Sequence, residues 1–416
     1  MHIRFFGLLA VALMAAACNS PLRPPVPPQA VSAVSAVSPG EVSTVLAVPA
    51  PALLQADAAF SKDALYELLA AEFALGRNLP AITLHHYSEQ LRRTRDPAIA
   101  ERTAEIAGAL GLHGLEMEAV KHRIAAMPND GVANLALARI VLQTGEPEEA
   151  RPYLVAAIAA GLRIRYQRLA LAVSSRLAVD RRAAFRVFRS LPVDPQDTPQ
   201  YTEWLQAQAL LLEGLGEARQ ALSLLREAGR AASPQNSGPI LAEVMLLERM
   251  HQSVAARRRL EEALALNPTR ALRWHYAAML STKEPEAALQ QLEILVRERP
   301  DDYPALFSLA MLNWETGHLD IAERHFHRLL AVGFRPDLAH FHLGRLADLR
   351  GDEELAIEHY LAVSSGPQLP AAARYLGALL MREDRIDEMQ AMFARQRFYH
   401  ERQTLVFYLL EAGLLV

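Results

Sequence analysis

A chain of 416 residues that is 51% hydrophobic holds enough apolar material for continuous burial, and a formal net charge of -4 offers no electrostatic case for nucleic-acid binding. Only 20 glycines stand against abundant Ala and Leu, a balance that favours helix over strand. The single cysteine, Cys18, excludes an internal disulfide, so packing alone must hold the fold.

At the start, His2 and Arg4 precede an apolar run from Phe5 to Met14 and then Ala15-Ala16-Ala17-Cys18. This is the order of a secretory signal and is too short to remain as a spanning helix, so export is expected. The position of Cys18 after small residues resembles the bacterial lipoprotein signal, which implies an acylated cysteine over a 1–18 leader. Ala15 stands where such signals usually carry Leu, and ordinary cleavage after Ala17 is the alternative reading. Asn19 is not the Asp that in such proteins favours retention at the inner membrane, so the resemblance implies lipid anchoring at the periplasmic face of the outer membrane. Residues 19–58 are rich in Pro, Ala and Ser and read as an extended, disordered tether that could reach on the order of 100 Å.

From residue 59 onward one signal recurs. Gly317, Ala322 and Phe326 return 34 residues later as Gly351, Ala356 and Tyr360, and Leu309-Ala310 returns as Leu343-Gly344. Gly-x4-Ala also appears at Gly76/Ala81, Gly114/Ala119, Gly145/Ala150 and Gly216/Ala221. The pattern predicts two antiparallel helices joined at the Gly, with the Ala allowing close approach and the aromatic filling the space between neighbouring hairpins. It resembles the tetratricopeptide repeat (TPR). The resemblance implies an all-α TPR solenoid over 59–416, a right-handed superhelix of about ten hairpins. Their turns fall near residues 76, 114, 145, 179, 216, 251, 283, 317, 351 and 384, and Glu401 to Leu415 forms a capping helix. Longer intervals at 191–200 and 229–239 predict loop insertions, the first a possible bend.

Catalytic constellations are not apparent: there is no phosphate-binding glycine loop, no Gly-x-Ser-x-Gly and no His-Glu-x-x-His, so neither an enzyme nor a cofactor site is expected. His325/His327 and His340/His342 are spaced two apart, which on a helix turns each pair to different faces, and no metal site is expected. Instead, TPR architecture implies a groove lined by the first helix of each hairpin, and that register gives Arg139, Arg273, Phe307, Trp314, Phe341, Arg345 and Arg374 as partner-binding candidates. Arginine interleaved with aromatics suits an extended peptide, the guanidinium forking to carboxylates and the rings covering apolar side chains.

The segment Asp63 to Ala74, with Arg92-Arg93-Thr94-Arg95-Asp96-Pro97 and Ala100-Glu101-Arg102, resembles the first repeats of outer-membrane TPR lipoproteins that serve a periplasmic carboxyl-terminal processing protease. That resemblance implies a non-enzymatic scaffold or adaptor whose partners are such a protease and its cell-wall hydrolase substrates, the membrane being met through the lipid anchor only. An assembly factor for a pilus, secretion or exopolysaccharide machine is the alternative of the same class.

Overall fold

The computed structural model describes residues 62–415, and every regular element among them is helical. The expected leader with Cys18 and the tether over 19–58 lie outside the described residues. The 21 α-helices among the described residues fall into two compact units, 62–252 and 253–415.

In the first unit α1 (Lys62–Gly76) pairs with α2 (Pro80–Arg93), α3 (Pro97–Ala109) with α4 (His113–Ala126), and α5 (Gly131–Thr144) with α6 (Arg151–Ala159). Both α7 (Tyr166–Ser174) and α8 (Ala178–Arg189) pack on α9 (Thr198–Gly214), which pairs with α10 (Ala218–Ala231), and α11 (Gly238–Arg249) packs on α10. The second unit opens with α12 (Ser253–Leu266), which lies against α13 (Arg270–Leu280). Then α13 pairs with α14 (Pro285–Glu298), α15 (Tyr303–Glu315) with α16 (Leu319–Ala331), α17 (Pro336–Arg350) with α18 (Glu353–Leu361), and α19 (Leu369–Arg382) with α20 (Ile386–Tyr399). The expected capping helix is α21 (Thr404–Leu415), packed on both α19 and α20. The all-α array of TPR-like hairpins is the fold.

Local chemistry sets the helix ends. The side chains of Asp130, Thr269, Asp302 and Asp352 each accept a bond from the amide three residues on, satisfying one donor that a helix N-terminus leaves free. At the turns Gly317 and Gly351 take φ of 84° and 76°, the left-handed state their positions demand. The degenerate turns at 251 and 384 keep that backbone state without glycine, His251 and Asp384 both lying at φ 59°. Two expected turns are displaced: Gly114 lies inside α4, and Gly111 at φ 71° closes that hairpin, while residue 179 lies inside α8, the turn falling at 175–177. Gly145 is not left-handed either, because the chain must stay extended through Glu146 to enter Pro147.

The stretch 191–200 is a loop as far as Asp197, followed by the start of α9. From α9, Trp204 Nε1 donates to the Phe188 carbonyl at 2.7 Å, and Gln200 bonds the amide and the carbonyl of Ile164, tying α9 to the last turn of α8 and to the chain just before α7. The division into units falls between Gln252 and Ser253.

Packing in the second unit follows the repeat. Ala322, Ala356 and Phe326 are fully buried, and Tyr360 nearly so. Gly344 shows why a small residue stands in the first helix: a Cβ there would lie 2.8 Å from Tyr360 Cδ1 and 3.3 Å from His359 Cβ. Its repeat mate Ala310 is buried with its methyl accommodated. Gly344→Ala is expected to destabilise the protein by about 1–2 kcal/mol, the overpacking outweighing the better helix propensity of Ala. Urea unfolding tests this, and a stabilised variant would show that Tyr360 yields freely.

Candidate functional site

The first helices of three successive hairpins, α15, α17 and α19, carry a joined set of arginine and aromatic side chains. Arg345 on α17 reaches its neighbours on both sides: its guanidinium lies 4.2 Å from the ring centre of Tyr375 on α19 and 5.9 Å from that of Trp314 on α15. One of its nitrogens donates to the Tyr375 hydroxyl at 2.7 Å. Arg374 places its guanidinium 4.6 Å from the same Tyr375 ring. Phe341, one turn before Arg345, meets Tyr375 at 6.1 Å and Tyr360 at 6.5 Å, and Tyr360 and Tyr375 stack at 13°.

Spacing explains the alignment. Trp314 and Arg345 are 31 residues apart and Arg345 and Tyr375 30, each about one helical turn short of the 34-residue period, so the contacts step back one turn per hairpin.

Beneath the face lies His342. Its ring stacks on Phe326 at 5.0 Å and 2°, and meets Trp314 at 5.1 Å and Phe341 at 5.2 Å edge-on. Burial first, then the neighbouring Arg345 charge, push its pKa down to about 3, so the imidazole is a neutral slab. Among the described residues its Nδ1 has no hydrogen-bond partner. Glu315, next to Trp314, is open to solvent yet crowded by protein, and that desolvation raises its carboxyl pKa.

Among the described residues neither Arg345 nor Arg374 has a carboxylate partner. Two guanidinium groups are thus held by rings, with donors left over. Each cation–ring contact contributes about 0.5–1 kcal/mol at such sites.

The other candidates from the sequence lie elsewhere. Arg273 turns into its own hairpin, donating to Gln291 at 3.1 Å and lying 3.8 Å from Glu298, and its side chain is only 13% exposed. Arg139, in the first unit, is committed to the buried Glu116 and to Gln143. Phe307 is buried and covered by Arg335, whose guanidinium sits 4.7 Å from its ring centre. Trp314, Phe341, Arg345 and Arg374 are the four that come together.

Tyr375, His342 and Tyr360 complete the set and are absent from the partner-binding candidates read from the sequence, where Tyr360 figures as a repeat aromatic and His342 as one of a histidine pair. Leu343-Gly344 returns at Leu376-Gly377, so Tyr375 shares the helical register of the buried His342 and reads as interior. Its hydroxyl needs a polar partner, and the bond to Arg345 supplies one at the half-buried position where it rests. Among the described residues no three His, Cys, Asp or Glu side chains are already gathered around one point.

No protein-family model matches the chain. It is similar to a TPR repeat-containing protein of Pseudomonas aeruginosa, with 29% identity over 356 residues covering 85% of this chain. The match spans 59% of that protein's length. Among solved structures, yeast Tom70 aligns over 85% of this chain and 80% of its own with 11% identity and a TM-score of 0.34. The pilF protein of Pseudomonas aeruginosa aligns over 52% of this chain and 99% of its own with 15% identity and a TM-score of 0.37.

Proposed function

We propose that the chain is a non-enzymatic scaffold that holds a partner protein on the face formed by α15, α17 and α19. The observation that carries this reading is the pair of guanidinium groups, Arg345 and Arg374, packed on Tyr375 and without carboxylate partners among the described residues. Rings already fix the Arg345 side chain, so a ligand carboxylate need not order it on binding. An extended segment of the partner places a carboxylate on these two arginines and an apolar side chain against Trp314 and Phe341.

In the same proposal the partner is a periplasmic carboxyl-terminal processing protease, and Cys18 carries the lipid that anchors the scaffold at the periplasmic face of the outer membrane. Support for this part is the order of residues in the leader and the resemblance of the segment from Asp63 to Arg102. No helix among the described residues is long and apolar enough to cross a membrane.

The test is affinity capture from envelope extracts with the chain, with a variant changed at Arg345→Ala and Arg374→Ala, and with Arg258→Ala as a control at an exposed arginine paired to Glu262. A captured protease should bind the double variant about 30-fold more weakly, the order expected when charged contacts to a partner are truncated. The control should bind unchanged. Equal capture by all three would place the contact elsewhere, and capture of machine subunits without a protease would replace the protease reading by the assembly-factor one.

A further inference from the structure

Histidines that sequence spacing sets apart are brought together by neighbouring helices. His327 on α16, His340 on α17 and His359 on α18 approach one another. The Nδ1 atoms of His340 and His359 face each other at 3.0 Å, with ring centres 5.3 Å apart, and the His327 ring lies 6.4 Å from that of His359. His359 is buried, His340 half-buried and His327 exposed, so the group runs from the interior to solvent.

Two imidazole nitrogens this close cannot both carry a proton between them, so at least one presents a lone pair. Their separation also matches two ligands of one metal ion. Nitrogens at about 2.0–2.1 Å from an ion stand about 2.9 Å apart at a right angle and about 3.4 Å apart in a tetrahedron. Burial, the largest influence, lowers the pKa of both imidazoles and favours their neutral form, while Asp337 and Glu358 act the other way on His340 and Glu358 and Glu323 on His359. Asp337 is occupied by Ser364 and Ser365, and Glu323 by Arg350, so these carboxylates supply field and not ligands.

We infer that His340 and His359 form a half-built site for a late first-row divalent ion such as Zn²⁺ or Ni²⁺, closed by His327 after rotation of its side chain and by water. Imidazole ligands select these ions over Mg²⁺ and Ca²⁺. The ion would pin three consecutive helices and so lock the joint between two hairpins.

Equilibrium dialysis and thermal unfolding of the purified, untagged chain with ZnCl₂, NiCl₂ or MgCl₂ test this. The expected result is about one Zn²⁺ or Ni²⁺ retained per chain and a Tm raised by about 5 °C, with no effect of Mg²⁺. His340→Ala should remove both effects while keeping the helical circular dichroism, and His327→Ala should weaken retention about tenfold. An equal Tm with and without metal, or the same metal shift in His340→Ala as in the natural chain, would overturn the site. Should His340→Ala not fold, X-ray absorption at the zinc edge of the natural chain decides: imidazole ligands support the site, and an oxygen-only shell refutes it.

Discussion

Replacing Phe326 with Ala is expected to destabilise the protein by about 3–5 kcal/mol, the range for removing a fully buried phenyl ring. The effect reaches further than stability, because Phe326 is the surface on which His342 stacks, and His342 in turn bears on Trp314 and Phe341. Urea unfolding gives the magnitude, and Trp314 fluorescence should report a more solvated indole in the folded variant. Phe326→Leu, which keeps most of the volume, should lose less than half as much. A loss below about 1 kcal/mol for Phe326→Ala would mean that the neighbouring hairpins collapse into the space, and that the slab beneath the site is not rigid.

The second large effect is expected at the joint between α13 and α15. Asp302 is buried, accepts two hydrogen bonds from the Arg270 guanidinium, and caps α15 through the amide of Ala305. Arg270→Ala leaves that carboxylate buried with only its cap, at an expected cost of about 2–3 kcal/mol. This is below the usual figure for a broken buried pair because the Arg270 side chain is 41% exposed and water can follow it in. Asp302→Asn retains a capping side chain without the charge, so in the Arg270→Ala background it should recover about 1 kcal/mol or more. If the double variant is no more stable than Arg270→Ala alone, the cost lies in lost packing of Arg270 over Trp274, 5.3 Å away, and not in an unpaired carboxylate.

These two sites also show how far sequence carries. Gly317, Ala322 and Phe326 each answer a local demand, a left-handed turn, a close approach and a filled gap, and these demands are written in the chain at a fixed period, whereas the cap at Asp302 does not recur 34 residues on, where Pro336 stands. Turns at His251 and Asp384 were legible by counting alone, since their residues do not announce the backbone state. The binding face is harder. Arg273 and Arg345 occupy first helices in similar fashion, yet one is consumed by Gln291 and Glu298 and the other is held open by Tyr375. What decides their fates is the side chain opposite, about 20 to 30 residues away, which a helical register does not specify. Spacing within one helix is likewise silent about the next helix, and the approach of His340 to His359 across two helices could not be read from it.

The oblique line from Trp314 through Arg345 to Tyr375 has a mechanical consequence. Stacked hairpins flex mainly by hinging against their immediate neighbours. Arg345 touches rings on both adjoining first helices, so it acts as a strut across two hinges at once. A ligand seated along the same line would splint both. Tension that spreads the hairpins would then weaken its grip, so that hold on the ligand and extension of the stack oppose each other.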